Sequence, residues 1–256
     1  MDTPEKEIHP YNTSTGWDDR YSKHGADGAG TFVHTLQGNM LFYRSKCKAI
    51  DRCVRISNNS LENSFILDAA GGTGKFIEYF LSKNCKKLMV SDFSVVAVKS
   101  INEKYTDNRL NTSVFDLTSK ASPWEGVFDF VFVMEAIFLL KTDSDLAKAM
   151  ENLSRALKPG GVMIFSDLFP EEEIKIGNYV TYRPLSLYNH LFQKNKLTSL
   201  GFVPQTFIFN RNSFGRFQSI IEKTSSFLYY LDQLILSLGI TRKRNNIKYA
   251  VLKKEE

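Results

Sequence analysis

The segment Ile66-Leu67-Asp68-Ala69-Ala70-Gly71-Gly72-Thr73-Gly74-Lys75-Phe76 constrains this chain more than any other stretch. Apolar residues around a lone acid, then a run of small residues, then a helical pattern, read as a buried strand, a tight loop and a helix. Small residues let a ligand approach the backbone, and a helix start offers N–H groups with no partner inside the helix. An ordinary tight turn would carry the same residues. A dinucleotide fingerprint would not, because Gly72-x-Gly74 is followed by Ile77 where a small third residue is needed. The Gly-Lys-Ser/Thr ending of a phosphate loop is also missing.

From Phe65 onward, short apolar runs alternate with segments of helical period, the pattern of βαβ units around a parallel sheet. Strands are predicted at Phe65 to Ala69, Leu88 to Ser91, Ser113 to Phe115, Phe130 to Met134 and Val162 to Ser166. Each is nearly continuously apolar, as a strand buried on both faces should be. Helices are predicted at Lys75 to Lys83, Val95 to Lys104 and Leu146 to Leu157, the last stopped by Lys158-Pro159-Gly160-Gly161. A further helix from Ser186 to Leu200, ended by Gly201, is followed by strands at Phe202 to Phe209 and Ile247 to Leu252, seven strands in all. The intervening Asn210 to Asn246, with a helical stretch from Phe217 to Leu238, is too long for a hairpin turn and reads as an inserted cap or an oligomer surface, with a homodimer as the assembly considered. Residues 1–60 lack strand signals; Gly25 to Gly30 reads as a flexible loop and Asn39 to Ile56 as a helix. The chain is therefore divided into an N-terminal lid and helix (1–60) and one α/β domain (61–256) with a helical insertion at 210–246.

Composition, 43% hydrophobic and 24% charged, excludes a disordered or fibrous chain. The excess of 33 Lys plus Arg over 28 Asp plus Glu is mild, and the densest basic stretch, Arg242 to Arg244 with Lys248, Lys253 and Lys254, is read as a solvated face. Cys47, Cys53 and Cys85 form no CxxC and no ligand spacing, so no metal site and no disulfide framework is expected. The polar start of the chain and the lack of an apolar run near ~20 residues point away from secretion and membrane spanning, toward the cytoplasm.

Taken together, the glycine loop and the motifs downstream of it resemble those of the class I S-adenosylmethionine-dependent methyltransferases. Their first motif is hydrophobic-Leu-Asp-x-Gly-x-Gly-x-Gly, with Ala70 here at the first glycine and Gly72 and Gly74 at the next two; Ala-Gly-Gly-Thr-Gly is similar to the loop of the quinone C-methyltransferases. Val90-Ser91-Asp92-Phe93-Ser94 matches the second strand's end, where the resemblance gives Asp92 the ribose of the donor and Phe93 its adenine; Asp92 equally suits a helix N-cap. Phe115-Asp116-Leu117 matches the third, where the acid accepts from the adenine amino group and its neighbour lines the ring; a surface turn is the other reading of Asp116. Phe128 to Glu135 is similar to the fourth motif, with Met134 facing the donor, and Ala156 to Ser166 to the fifth. Glu135 holds the donor ammonium, binds the acceptor or caps the next helix. Trp17-Asp18-Asp19-Arg20-Tyr21 looks like the Trp-x-x-x-Tyr opening of many small-molecule methyltransferases, in which the tyrosine reaches the donor carboxylate; otherwise Trp17 packs and Tyr21 is surface.

The resemblance implies a Rossmann-like, seven-stranded, mostly parallel sheet with helices on both faces. It also implies S-adenosyl-L-methionine as cofactor, leaving S-adenosyl-L-homocysteine, with Tyr21, Asp68, Ala70, Gly72, Gly74, Asp92, Phe93, Asp116, Leu117 and Met134 around it. On the acceptor side, His190, Glu135 and Tyr182 are the candidate catalytic residues and His34, Tyr179 and Arg183 the candidate substrate-binding ones. Tyr182 to Phe192 is similar to the acceptor segment of relatives, although a lone helical histidine is more often packed or exposed. The expected acceptor is an O or N atom of a small biosynthetic molecule, not nucleic acid: there is no recognition domain, no strong basic face and no Asn/Asp-Pro-Pro-Tyr/Phe motif. A protein terminus or side chain, a quinone carbon, and a donor-binding protein that does not methylate are the alternatives.

Overall fold

The computed structural model describes residues 13–24, 36–207, 218–240 and 246–256. In chain order its elements are α1 (Ser14–His24), α2 (Leu36–Ser57), β1 (Phe65–Ala69), α3 (Ile77–Ser82), β2 (Lys87–Asp92), α4 (Val95–Lys104), β3 (Leu110–Val114) and β4 (Phe128–Val133). A 3-10 turn (Ile137–Leu139) comes next, then α5 (Asp143–Ala156), β5 (Leu157–Asp167), β6 (Ile174–Ile176), β7 (Val180–Tyr182), α6 (Leu185–Lys194), β8 (Leu197–Pro204), α7 (Gln218–Ser237) and β9 (Lys248–Lys254).

Seven strands form one sheet in the order β3-β2-β1-β4-β5-β9-β8, parallel except for β9, which runs antiparallel to both neighbours. The two-residue period of a strand sorts side chains to the two faces. Phe130 and Phe132 of β4 join Ile66, Ile164, Tyr249 and residues of α2 and α3 in one apolar core. Val131 and Val133 join Leu67, Met163, Phe165 and residues of α5 and α6 in the other. The order reverses where β1 lies between β2 and β4, and in such sheets the crevice beyond the strand ends at that reversal is where ligands bind.

The central elements lie close to where the periodicity predicts them, and α4 matches residue for residue. Strand β3 runs from Leu110 to Val114 where the sequence predicts Ser113 to Phe115, because its polar, unburied residues Asn111 and Thr112 hide the pairing to β2. Elsewhere the structure differs from the expectation. The helix predicted to run to Leu200 stops at Lys194, because Asn195 caps it and Lys196 turns left-handed at φ +53°. The last two strands therefore pair from Leu197 onward, and Gly201, read as a helix stop, sits at a bulge inside β8 opposite Val251. The small β6–β7 hairpin, turned at Gly177 with φ +60°, was carried only by a Gly-Asn pair and six residues of strand. Lys158 to Gly161, expected as a turn ahead of the fifth strand, is a bulge inside β5, where pairing to β4 jumps from Leu157 opposite Phe128 to Val162 opposite Phe130. The expected Gly25–Gly30 loop and the start of the Asn210 to Asn246 insertion lie outside the described residues.

The glycine loop leaves β1 with no room for a side chain at Gly71. A Cβ there would stand 2.7 Å from Val90 Cγ1 and 3.0 Å from Asp68 Oδ2. Valine is stiff about χ1 and the acid is fully buried, so neither yields cheaply. Gly71→Ala is expected to lose about 1–3 kcal/mol of stability, read from the urea midpoint at constant m value; an unchanged midpoint would mean that the loop has slack.

Candidate active site

One carboxylate organises the strand ends. Asp92, at the end of β2, accepts the Gly72 N–H on Oδ2 at 2.9 Å and the Ser94 N–H on Oδ1 at 3.0 Å. It thus ties the loop after β1 to the start of α4. Burial pushes its pKa up, against the two amides that favour the charged form. A carboxylate has about four acceptor positions, so two remain for hydroxyl groups approaching from the crevice. Beneath it, Asp68 is completely buried, and neither of its oxygens has a hydrogen-bond partner. Burial first, and the Asp92 charge second, push its pKa up to about 7.

Above these acids lies a cavity of about 310 Å³. The loop after β1 contributes Ala70, the end of β2 contributes Asp92 and Phe93, and the loop after β3 contributes Phe115, Asp116, Leu117 and Thr118. Asp116 is aimed by its own turn, its Oδ1 accepting the Thr118 N–H and hydroxyl, both at 2.8 Å. The far wall is the segment after β4, with Met134, Glu135, Ala136, Leu139, Leu140, Lys141 and Asp145. The roof is α1, through Trp17 and Tyr21, whose rings lie 5.4 Å apart. Asp18 fastens that helix: its carboxylate accepts the Ser94 hydroxyl and the Val96 N–H of α4. Tyr21 is buried, and burial together with the Asp92 charge raises its phenol pKa, keeping it a hydrogen-bond donor.

The backbone turns left-handed at the ends of both β1 and β4, at Ala70 (φ +53°) and Glu135 (φ +58°). For residues with a Cβ this conformation costs roughly 1–2 kcal/mol. At Glu135 it is held in place twice. The amide donates to Ser166 Oγ at 2.7 Å, and the carboxylate meets the Lys46 ammonium of α2 at 2.5 Å. Lys46 is buried, so this ion pair forms a neutral patch at the cavity edge. The arrangement offers a carboxylate for a diol, flat apolar walls beside a second acid, and a third carboxylate where the apolar strand ends. These residues fit a nucleoside joined to a charged tail.

Of the residues singled out in the sequence, Tyr21, Ala70, Asp92, Phe93, Asp116, Leu117, Met134 and Glu135 line this cavity. Asp68, Gly72 and Gly74 lie behind it as framework, Gly74 at φ +81° with Ile77 packed against it. The acceptor-side candidates do not gather there. His190 stands exposed on α6, whose buried face is Tyr188, Leu191 and Phe192. Tyr182 packs its ring on Phe138, one layer behind the wall, and Tyr179 lies in the β6–β7 turn. Arg183 is buried and turned into the scaffold, bonded to Asp143 Oδ1 and the Leu140 carbonyl, both at 2.8 Å, so that it braces the wall segment. His34 lies outside the described residues. Sequence reasoning passed over Lys46, Ser166, Asp18 and the Leu139 to Asp145 wall. Only Asp18, inside the Trp-x-x-x-Tyr stretch, carried a signal. Among the described residues no group of three or more acids, histidines or cysteines is placed to hold a metal.

Residues 66–161 match the family model for a methyltransferase domain. No curated protein matches the sequence. Among solved structures the fold is similar to a Galdieria sulphuraria protein provisionally named a sarcosine dimethylglycine methyltransferase, at TM-score 0.61 and 14% identity over 93% of this chain and 98% of that one. It is similar to a SAM-dependent methyltransferase from Leishmania major, at TM-score 0.59 and 14% identity over 96% and 87%. It is also similar to the N-methyltransferase NodS from Bradyrhizobium japonicum, at TM-score 0.53 and 17% identity over 84% and 97%.

Asp92→Ala is expected to weaken S-adenosylmethionine binding about ten- to hundredfold, the loss of ~1.5–3 kcal/mol of charge-assisted hydrogen bonds, measured by calorimetric titration. Asp68 has a pH signature in the free protein. Its folded pKa of about 7 lies above the usual carboxylate value near ~4, so the native state holds the extra proton in between, and stability falls as pH rises through that window. Asp68→Asn removes the burden, so its advantage in unfolding free energy over the parent, read from urea titrations, should grow from pH 4 to pH 8, on the order of a few kcal/mol at the upper end. A difference independent of pH would remove Asp68 from this role.

Proposed function

We propose that this chain, whose residues 66–161 match the methyltransferase-domain model, is a class I S-adenosylmethionine-dependent methyltransferase that methylates an oxygen or nitrogen atom of a small biosynthetic molecule. The observation that carries this reading is the cover over two sides of the cavity. Its roof and far wall come from the chain's own α1 and from the Leu139 to Asp145 segment, which leaves a compartment of about 310 Å³. A cleft covered on these two sides favours a compact acceptor over a polymer. The names of the Galdieria and Bradyrhizobium structures, a sarcosine dimethylglycine methyltransferase and an N-methyltransferase, lie in the same direction. The mild net charge of +5 gives little support to a nucleic-acid acceptor. We assign the enzyme to the cytoplasm, with which its three free thiols agree.

When bound, the donor supplies a methyl group already activated on a sulfonium sulfur. The protein's work is therefore alignment and the exclusion of water, and good orientation alone supplies roughly 7–11 kcal/mol. Asp92 takes the ribose hydroxyls, Phe93, Phe115 and Leu117 bound the adenine, and Asp116 accepts from its amino group. Tyr21 donates from above, and Trp17 shuts out solvent on the same side. Glu135 is the acceptor-side group. Its carboxylate accepts an N–H or O–H of the acceptor and takes that proton where the acceptor must lose one. Lys46 and Ser166 fix its direction.

Incubation with S-adenosylmethionine and a panel of small amines and hydroxy compounds should form S-adenosylhomocysteine with at least one of them. Glu135→Gln should lower that turnover on the order of a hundredfold while leaving donor affinity within a few fold. Turnover confined to a peptide, or to a quinone in vesicles, would overturn the small-molecule reading.

A further inference from the structure

Helix α7 is built the wrong way round for a monomer. Its face toward the fold is Tyr229, Asp232 and Leu236, with Asp232 fully buried. Polar ties hold it there: the Asp232 carboxylate accepts the Phe207 N–H at 2.8 and 3.0 Å, and Gln233 Oε1 accepts from Arg52 of α2 at 3.2 Å. The outward face carries Phe227, Tyr230 and Leu234, continued by Leu238 in the turn that ends the helix, and these are 69%, 65%, 57% and 67% exposed. Their spacing of three, four and four residues places them on one stripe, and Ile240 extends it. An amphipathic surface helix normally shows the opposite arrangement.

We propose that this stripe is the contact between two copies of the chain, related by a two-fold axis that packs α7 on its own counterpart. Three observations select a second copy. Among the described side chains the outward residues, Phe227, Tyr230, Leu234, Ser237 and Leu238, include no charge, so like meets like without repulsion, as a two-fold interface demands. With aromatic side chains each burying ~150–250 Å², the stripe amounts to roughly 500–600 Å², the upper end of what a monomer exposes and most of the ~800 Å² per partner in a standard interface. Finally, a helix that lies on a lipid surface keeps a strongly charged face toward water, whereas the other face of α7 is occupied by the fold.

Sedimentation velocity on the full chain at micromolar concentration should show a species of twice the 29.2 kDa chain mass. Leu234→Glu with Leu238→Glu should weaken self-association by at least ~100-fold, since every dimer would bury four carboxylates at the seam. Circular dichroism and S-adenosylmethionine affinity of that variant should match the parent. Hydrogen exchange on the unaltered chain reads the same face without substitution: on dilution through the dissociation range, protection should fall in α7 first. A monomeric parent chain, a dimer that survives both glutamates, or protection lost on dilution at another surface would each overturn the proposal. So would a monomer that floats with phosphatidylserine vesicles, which would assign the stripe to a membrane.

Discussion

The site depends on the Asp92 carboxylate lying between the amides of Gly72 and Ser94. Two strand ends that the sheet merely sets side by side become one rigid rim, because the acid bonds the loop of the first βα unit to the helix of the second. The cost is the desolvation of a charge, and the two amides offset part of it. The other features of the rim depend on this bond. Gly71 has no space for a side chain because the loop is drawn down over Asp68 and Val90, and Asp18 finds the start of α4 already positioned for capping.

Much of this was legible in the sequence because it rests on local constraints. Buried parallel strands announce themselves as short apolar runs, and the acids at their ends stand out against that background. Asp92, Asp116 and Glu135 were therefore visible, and all three line the cavity. Contacts that depend on where distant elements land were not visible. Lys46 reads as one of several lysines on a helix and meets Glu135 only because α2 packs across β5 and β9. Arg183 and His190 shared a segment rich in tyrosine and looked equally suited to a pocket. The packing turned the guanidinium into Asp143 and left the imidazole in solvent. At Asn195 and Lys196 two unremarkable polar residues end a helix that periodicity alone would have extended.

Helix α2 emerges as the member that joins otherwise separate parts. Midway along it Lys46 braces the carboxylate at the edge of the cavity, and about two turns later Arg52 reaches Gln233 of α7 and the carbonyls of Pro204 and Gln205. Its apolar residues Ala49, Ile50 and Cys53 lie fully buried against the sheet. A displacement of α7 would thus be felt at β8 and along α2 before it reached the strand ends.

The fastening of α1 has a kinetic meaning. Among the described residues this helix adds Tyr21 to the buried apolar residues, and the Asp18 carboxylate fastens it to the start of α4. Segments held by few apolar contacts open at a small fraction of the free energy needed to unfold the whole chain. The roof can therefore lift while the seven strands stay paired. Such a helix is a natural gate for the strand-end cavity, passing what enters and leaves it without disturbing the sheet below.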